Sequence, residues 1–301
     1  MTDASLRGDA APLAFVMVKA FGDLTIIASV LRRLAAADRA RCMLLVAPHL
    51  ADLATVLAPD CEVQGLSIEP ILPPLFDIQK HRKIGRIVGS ALELRRSLAT
   101  AAPGATLVFD RLSWRERFIV GRRAALAVER GQPLTNVYAT HEALLRDALP
   151  FMRIESPVAT PPSASGTRRI GLLPFSRVAA KNVPVALVES MAAKCRAHDF
   201  EPVVLLLEGE DFPNLPGLAT ERLPRRFDAL VQGIASVGAV ISADSLPAHL
   251  AEYNGRAAFV ASPVRNVYYL PPMAFAGGHW GLFSEPAELD RRLVRFLDML
   301  K

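Results

Sequence analysis

The stretch Leu13-Ala14-Phe15-Val16-Met17-Val18-Lys19 is an apolar, β-branched run, and Ala20-Phe21-Gly22-Asp23 follows it directly. Residues 24–37 then carry apolar side chains at helical spacing, so the order is strand, tight turn, helix. Working outward, residues 42–47 and 62–66 read as the second and third strands, residues 84–99 as an amphipathic helix, and residues 106–109 as another buried strand. Alternation of this kind predicts a parallel sheet with helices on its faces.

The alternation repeats. Residues 155–168 are rich in Ser, Pro and Gly, poor in large apolar residues, and form the best linker in the chain. Beyond them come strands at 169–174, 203–207, 239–242 and 257–261, with helices near 184–197, 226–236 and 247–253. The expected organisation is an α/β protein of two Rossmann-like, doubly wound domains: 1–154, the linker 155–168, and 169–301. A chain of 301 residues, half of them hydrophobic, is long enough for two cores. A last helix at 285–300 has one apolar face, and the sequence leaves open which domain receives it, the N-terminal one included. Two such halves put a ligand cleft between them, at the carboxyl ends of the strands.

Several function classes drop out. The longest apolar stretch without formal charge is too short to span a bilayer, and the first residues lack a basic start followed by an apolar block, so a cytoplasmic protein is expected. Cys42, Cys61 and Cys195 are odd in number and widely spaced, and the six histidines show no metal spacing, so neither a disulfide framework nor a bound metal is implied. The net charge of +5 comes mostly from 29 arginines, which admits phosphorylated substrates, nucleic acid and anionic membrane, or reflects only a bias in codon usage. Nucleic acid is not expected, because aromatic residues do not interleave with the basic runs. A generic Rossmann oxidoreductase is disfavoured, because no GxGxxG follows the first strand.

Three segments carry candidate chemistry. Asp23 sits where the first strand hands over to a helix; it is either the N-cap or a general base facing the cleft. In the loop opening the second domain, Ser176, Arg177 and Lys181 bring a hydroxyl and two cations to a place suited to phosphate oxygens, unless the loop is only a solvated basic one. In Ser242-Ala243-Asp244-Ser245-Leu246-Pro247-Ala248-His249-Leu250 a strand ends and a helix begins. Asp244 or Ser245 there is either a cap or part of an anion site, and His249 either a core residue or a ligand contact. Basic residues gather at Lys80, His81, Arg82, Lys83 and Arg86 and again at Arg115, Arg117, Arg122 and Arg123. Each group is either a solvated face or a means of holding an anionic acceptor.

These segments, in this order, resemble the glycosyltransferase family that contains the lipopolysaccharide heptosyltransferases, glycosyltransferase family 9. The resemblance implies a GT-B architecture, two Rossmann-like domains facing a central cleft, and metal-independent, inverting transfer of a sugar, a heptose above all. The donor it implies is a nucleoside-diphosphate sugar, ADP-linked by preference; it implies no cofactor. It makes Asp23 the base and gives Ser176, Lys181, Asp244, Ser245 and His249 to the donor's phosphates and sugar. Glu208 falls where the family holds the adenosine ribose, and Arg115 matches a basic position on the acceptor side. The acceptor would be a glycan, an anionic glycolipid or a protein, with peripheral contact at the inner face of the inner membrane. One departure stands out: Leu246 occupies the position where the family has glycine, which lets phosphate approach the backbone closely. That substitution supports an alternative, a non-catalytic GT-B-like protein that binds a nucleotide or glycan.

Overall fold

The computed structural model describes residues 11–57, 60–69, 75–76, 78, 83–128, 136–149 and 167–301. Residues 155–166 of the expected linker 155–168, and the basic residues Lys80, His81 and Arg82, lie outside the described residues. The chain divides into two compact units, Met1–Gln132 with Thr140–Glu155, and Pro133–Ala139 with Ser156–Lys301.

In the first unit the order is β1 (Leu13–Met17), α1 (Phe21–Arg32), α2 (Ala36–Arg39), β2 (Cys42–Val46), α3 (Ala51–Leu57), β3 (Glu62–Gly65), α4 (Ile84–Ala101), β4 (Thr106–Phe109), α5 (Trp114–Val120) and β5 (Ala125–Ala127). The helix α6 (Val137–Ala148) follows. The strands make one parallel sheet in the order β3-β2-β1-β4-β5. β1 and β2 are buried along their whole length, which is why their sequences are continuous apolar runs. α4 and α5 cover one face through Ala91, Leu94, Leu98, Ile119 and Val120, which pack with Ala14, Val16, Leu45 and Leu107.

α1 begins three residues earlier than its apolar spacing predicts and ends at Arg32, where Arg33 and Leu34 donate to Val30 and Leu31 and tighten the last turn. The N-cap position belongs to Ala20, which has no side chain to cap with. Asp23 is therefore not the cap; it lies inside the first turn, where the positive end of the helix dipole favours a carboxylate.

The second unit runs β6 (Arg169–Leu173), α7 (Val185–Ala197), β7 (Glu201–Leu207), β8 (Ala219–Leu223), α8 (Phe227–Ala235), β9 (Ala239–Ala243), α9 (Leu246–Tyr253), β10 (Ala257–Ser262), α10 (Pro272–Gly277), β11 (Trp280–Leu282) and α11 (Pro286–Met299). All strands are parallel, in the order β11-β10-β9-β6-β7-β8. This is the doubly wound order in which the chain reverses direction across the sheet between β6 and β9. α11 packs here: Leu289, Leu293, Phe296 and Leu297 join Ile170, Val204, Ile241 and Phe259 in one core.

Candidate active site

Each sheet has one switch point, between β1 and β4 in the first unit and between β6 and β9 in the second. Loops leaving the carboxyl ends of such strand pairs diverge, and the crevice between them is where ligands bind in this kind of sheet.

At the second switch point the loop after β6 is held by its own hydrogen bonds, although Arg177 and the next three residues are exposed. Val183 N donates to Pro174 O at 2.8 Å, Ser176 N donates to Asn182 Oδ1 at 2.8 Å, and Lys181 and Asn182 close a 3-10 turn onto Val178 and Ala179. Ser176 Oγ accepts from Val178 N at 3.3 Å. These bonds carry Lys181 across to the end of β9, where its ammonium lies 2.8 Å from Asp244 Oδ2 and 3.2 Å from Asp244 O. The Asp244 side chain is almost wholly buried while that of Lys181 stays about one-third exposed, so the cation is fixed from beneath and open above.

α9 supplies the rest. Ser245 holds the N-cap position, but its hydroxyl donates to Phe175 O at 3.3 Å, so it ties α9 to the β6 loop and does not cap the helix. Asp244 likewise serves Lys181 and does not cap. Pro247 has no N–H and Ala248 N donates to Ser245 O, so fewer amides are left for an anion than the sequence suggests. His249 is buried and shares a 2.9 Å hydrogen bond between Nδ1 and the Tyr138 hydroxyl. Burial pushes the ring down to about 4; the Asp244 carboxylate opposes this and Lys181 adds to it. His249 is therefore a neutral ring at physiological pH, both a core residue and a neighbour of the charged pair.

The structure thus brings Lys181, Asp244, Ser245 and His249 together, with Ser176 on the same loop as Lys181. Glu208 follows β7 at the same sheet edge and is exposed; its backbone is held by Leu223 and Arg225. Leu246, the departure from the family pattern, is the first residue of α9 and half-buried.

At the first switch point Lys19, just past β1, lies 3.6 Å from Asp110 Oδ2 and 3.9 Å from Glu116 Oε1, with its ammonium 5.2 Å from the centre of the Phe76 ring. Glu116 is buried and belongs to a capping box with Ser113 at the start of α5. Asp23 is half-buried in the first turn of α1. Arg115, in the first turn of α5, lies with its guanidinium 5.7 Å from the Trp114 ring centre. No sequence pattern gives a role to Lys19, Asp110, Glu116 or Tyr138. The capping pattern Ser-x-x-Glu at 113–116 was the one available signal, and it marks a helix and not a site. Among the described residues no group of three or more His, Cys, Asp or Glu is placed to hold a metal ion.

No family model and no curated protein matches the sequence. Solved structures do. The E. coli heptosyltransferase WaaC with ADP-2-deoxy-2-fluoro heptose is similar with a TM-score of 0.60 at 10% identity, over 94% of this chain and 98% of that one. The E. coli ADP-heptose lps heptosyltransferase II gives 0.60 at 14% identity, over 96% and 98%. The glycosyl transferase family 9 structure from Veillonella parvula DSM 2008 gives 0.60 at 11%, over 95% and 89%. The motif resemblance is thus matched at the level of fold, and the chain has the GT-B fold of the family 9 heptosyltransferases.

Proposed function

We propose that the protein is an inverting glycosyltransferase that moves a sugar, a heptose in the first instance, from an ADP-linked donor to a glycan, an anionic glycolipid or a protein. The observation that carries this reading is the meeting of Lys181, Asp244 and His249 at the second switch point. Three residues from two separated motifs converge on a place where a diphosphate would find a fixed cation and a neutral imidazole.

In the proposed reaction Asp23 takes the proton of an acceptor hydroxyl as that oxygen attacks the anomeric carbon from the face opposite the leaving group. The bond from that carbon to the diphosphate breaks, its electron pair leaves with the nucleoside diphosphate, and the sugar arrives on the acceptor with inverted configuration. Charge grows on the leaving oxygens, and Lys181 and the Ser176 hydroxyl stabilise that growth more than they stabilise the ground state. Ser245 and His249 line the phosphate side, Glu208 takes the ribose, and Arg115 holds an anionic group of the acceptor. No step requires a protein-bound metal. An acceptor borne on a lipid fits a role in lipopolysaccharide assembly at the inner face of the inner membrane.

The test is acceptor-dependent release of ADP from ADP-heptose. Asp23→Asn should lower the rate at least ~10²-fold while ADP affinity is kept, since the shape survives and proton acceptance does not. An unchanged rate removes Asp23 from the mechanism. Leu246 supports one rival, a protein that binds the nucleotide without transfer; in that case ADP binds and no sugar moves.

A further inference from the structure

We infer that Tyr138 is a positioning residue of the donor site: its hydroxyl donates to His249 Nδ1 and so presents His249 Nε2–H as a donor to the diphosphate. This rests on the reading of the Lys181–Asp244–His249 cluster as that site.

Tyr138 is the second residue of α6 and only 1% exposed, one of the largest side chains that the protein buries completely. The turn that carries it is pinned. Asn136, just ahead of α6 and itself buried, accepts from Ala139 N at 2.9 Å through its side-chain oxygen. Pro133–Ala139 belongs to the second unit with His249, while the rest of α6 belongs to the first. The Tyr138 hydroxyl ends 2.9 Å from His249 Nδ1, with the two ring centres 6.0 Å apart and the planes tilted by 35°.

A neutral imidazole has one N–H and one bare nitrogen, and the partner of one decides the state of the other. Burial keeps His249 neutral. Two arrangements then satisfy the bond to Tyr138. Either the phenol donates to Nδ1 and the ring proton sits on Nε2, or Nδ1–H donates to the phenol oxygen and Nε2 is bare. The second turns a lone pair toward phosphate oxygens, whereas the first turns an N–H toward them. The first also pairs a good donor, the phenol, with a good acceptor, the unprotonated ring nitrogen. Nδ1 is occupied, His249 keeps 6% of its surface exposed, and Nε2 is not among the described side-chain atoms sealed without a bond. Nε2 is therefore the nitrogen that meets a ligand. A carboxylate in place of the phenol would draw a second proton onto the ring and make it a cation. The nearby carboxylate, Asp244, is committed to Lys181 instead. A diphosphate thus meets one full cation, Lys181, and one uncharged donor, His249.

Nitrogen NMR of protein labelled at its histidines reads the tautomer in the wild type, with the His249 ring assigned as the pair of signals lost in His249→Gln. Nδ1 should be pyridine-like and Nε2 pyrrole-like, and ADP should move the Nε2–H signal. A pyrrole-like Nδ1, or an Nε2 signal that ADP leaves in place, overturns the proposal. Tyr138→Phe removes only the hydroxyl and should weaken ADP binding at least ~5-fold in calorimetric titration. In the His249→Gln background, whose side-chain amide carries its own N–H and needs no phenol to place it, the same change should cost less than ~2-fold. A tyrosine that acts by packing alone would cost the same in both backgrounds; that result, or unchanged affinity in Tyr138→Phe, also overturns the proposal. ADP binding to the wild type with a pyrrole-like Nδ1 removes the role of Tyr138 and leaves the donor site standing, whereas absence of ADP binding removes the donor site and this role with it.

Discussion

At the second switch point both acceptors that hold the Lys181 ammonium belong to one residue, the carboxylate and the carbonyl of Asp244. The pair can serve a diphosphate because its buried member is the acid and its accessible member is the cation. His249 adds an imidazole that burial keeps neutral, with a folded pKa of about 4 against 6.5 for a free side chain. Between those values the unfolded chain binds a proton that the folded chain refuses, so stability rises with pH across that window, by something on the order of 3 kcal/mol for this group. Above 6.5 neither form is charged, and below 4 both are, so the dependence ends at each side. Thermal melts from pH 4.5 to 7 should therefore show the wild type losing melting temperature on acidification more steeply than His249→Gln. Parallel curves would mean that the ring is not held neutral by burial. The residues of this site were visible in the sequence as polar side chains at strand ends, but their pairing was not. Lys181 and Asp244 are 63 positions apart, and only the pairing of β6 with β9 brings them into reach. Tyr138 left no signal at all, because its contact with His249 spans 111 positions and belongs to no local pattern.

Among the elements, most strands legible in the sequence are buried ones; β3, an exposed edge strand legible at 62–66, is the exception. β1, β2, β9 and β10 are buried along their whole lengths and were plain as apolar runs. The edge strands β5, β8 and β11 were not read: β8 is mostly exposed, and β5 and β11 are three residues each, too short for a period to declare itself. α5 shows in the sequence only as a run of basic residues, because its apolar side chains, Trp114, Phe118, Ile119 and Val120, do not fall on one face. Close packing at the far edge of the second sheet gives a test at this scale. β11 meets α11 so closely that a Cβ on Gly281 would lie 2.7 Å from Leu289 Cβ and 2.8 Å from its Cα. Because backbone is among the atoms struck, Gly281→Ala should destabilise the protein by roughly 1–3 kcal/mol, measured by denaturant midpoint. A neutral result would mean that α11 is free to move off the strand.

For the whole molecule, two units with separate cores should not unfold as one. A calorimetric scan is expected to resolve more than one transition, and Gly281→Ala should lower the one that belongs to the second unit. Saturating ADP should raise that same transition, by about 2.7 kcal/mol of stabilisation at a hundredfold excess over Kd, and leave the other where it was. Displacement of the transition that Gly281→Ala leaves alone would put the nucleotide in the wrong unit. The central claim, that the Lys181–Asp244–His249 cluster binds a nucleoside diphosphate, is reached most directly by calorimetric titration of ADP, UDP and GDP, with and without magnesium, into the wild type and Lys181→Ala. The account predicts saturable binding of ADP without magnesium, weakened at least ~10-fold in the variant as a charge-assisted phosphate contact is lost. Failure of all three nucleotides to bind the wild type, or equal affinity in the variant, would contradict it.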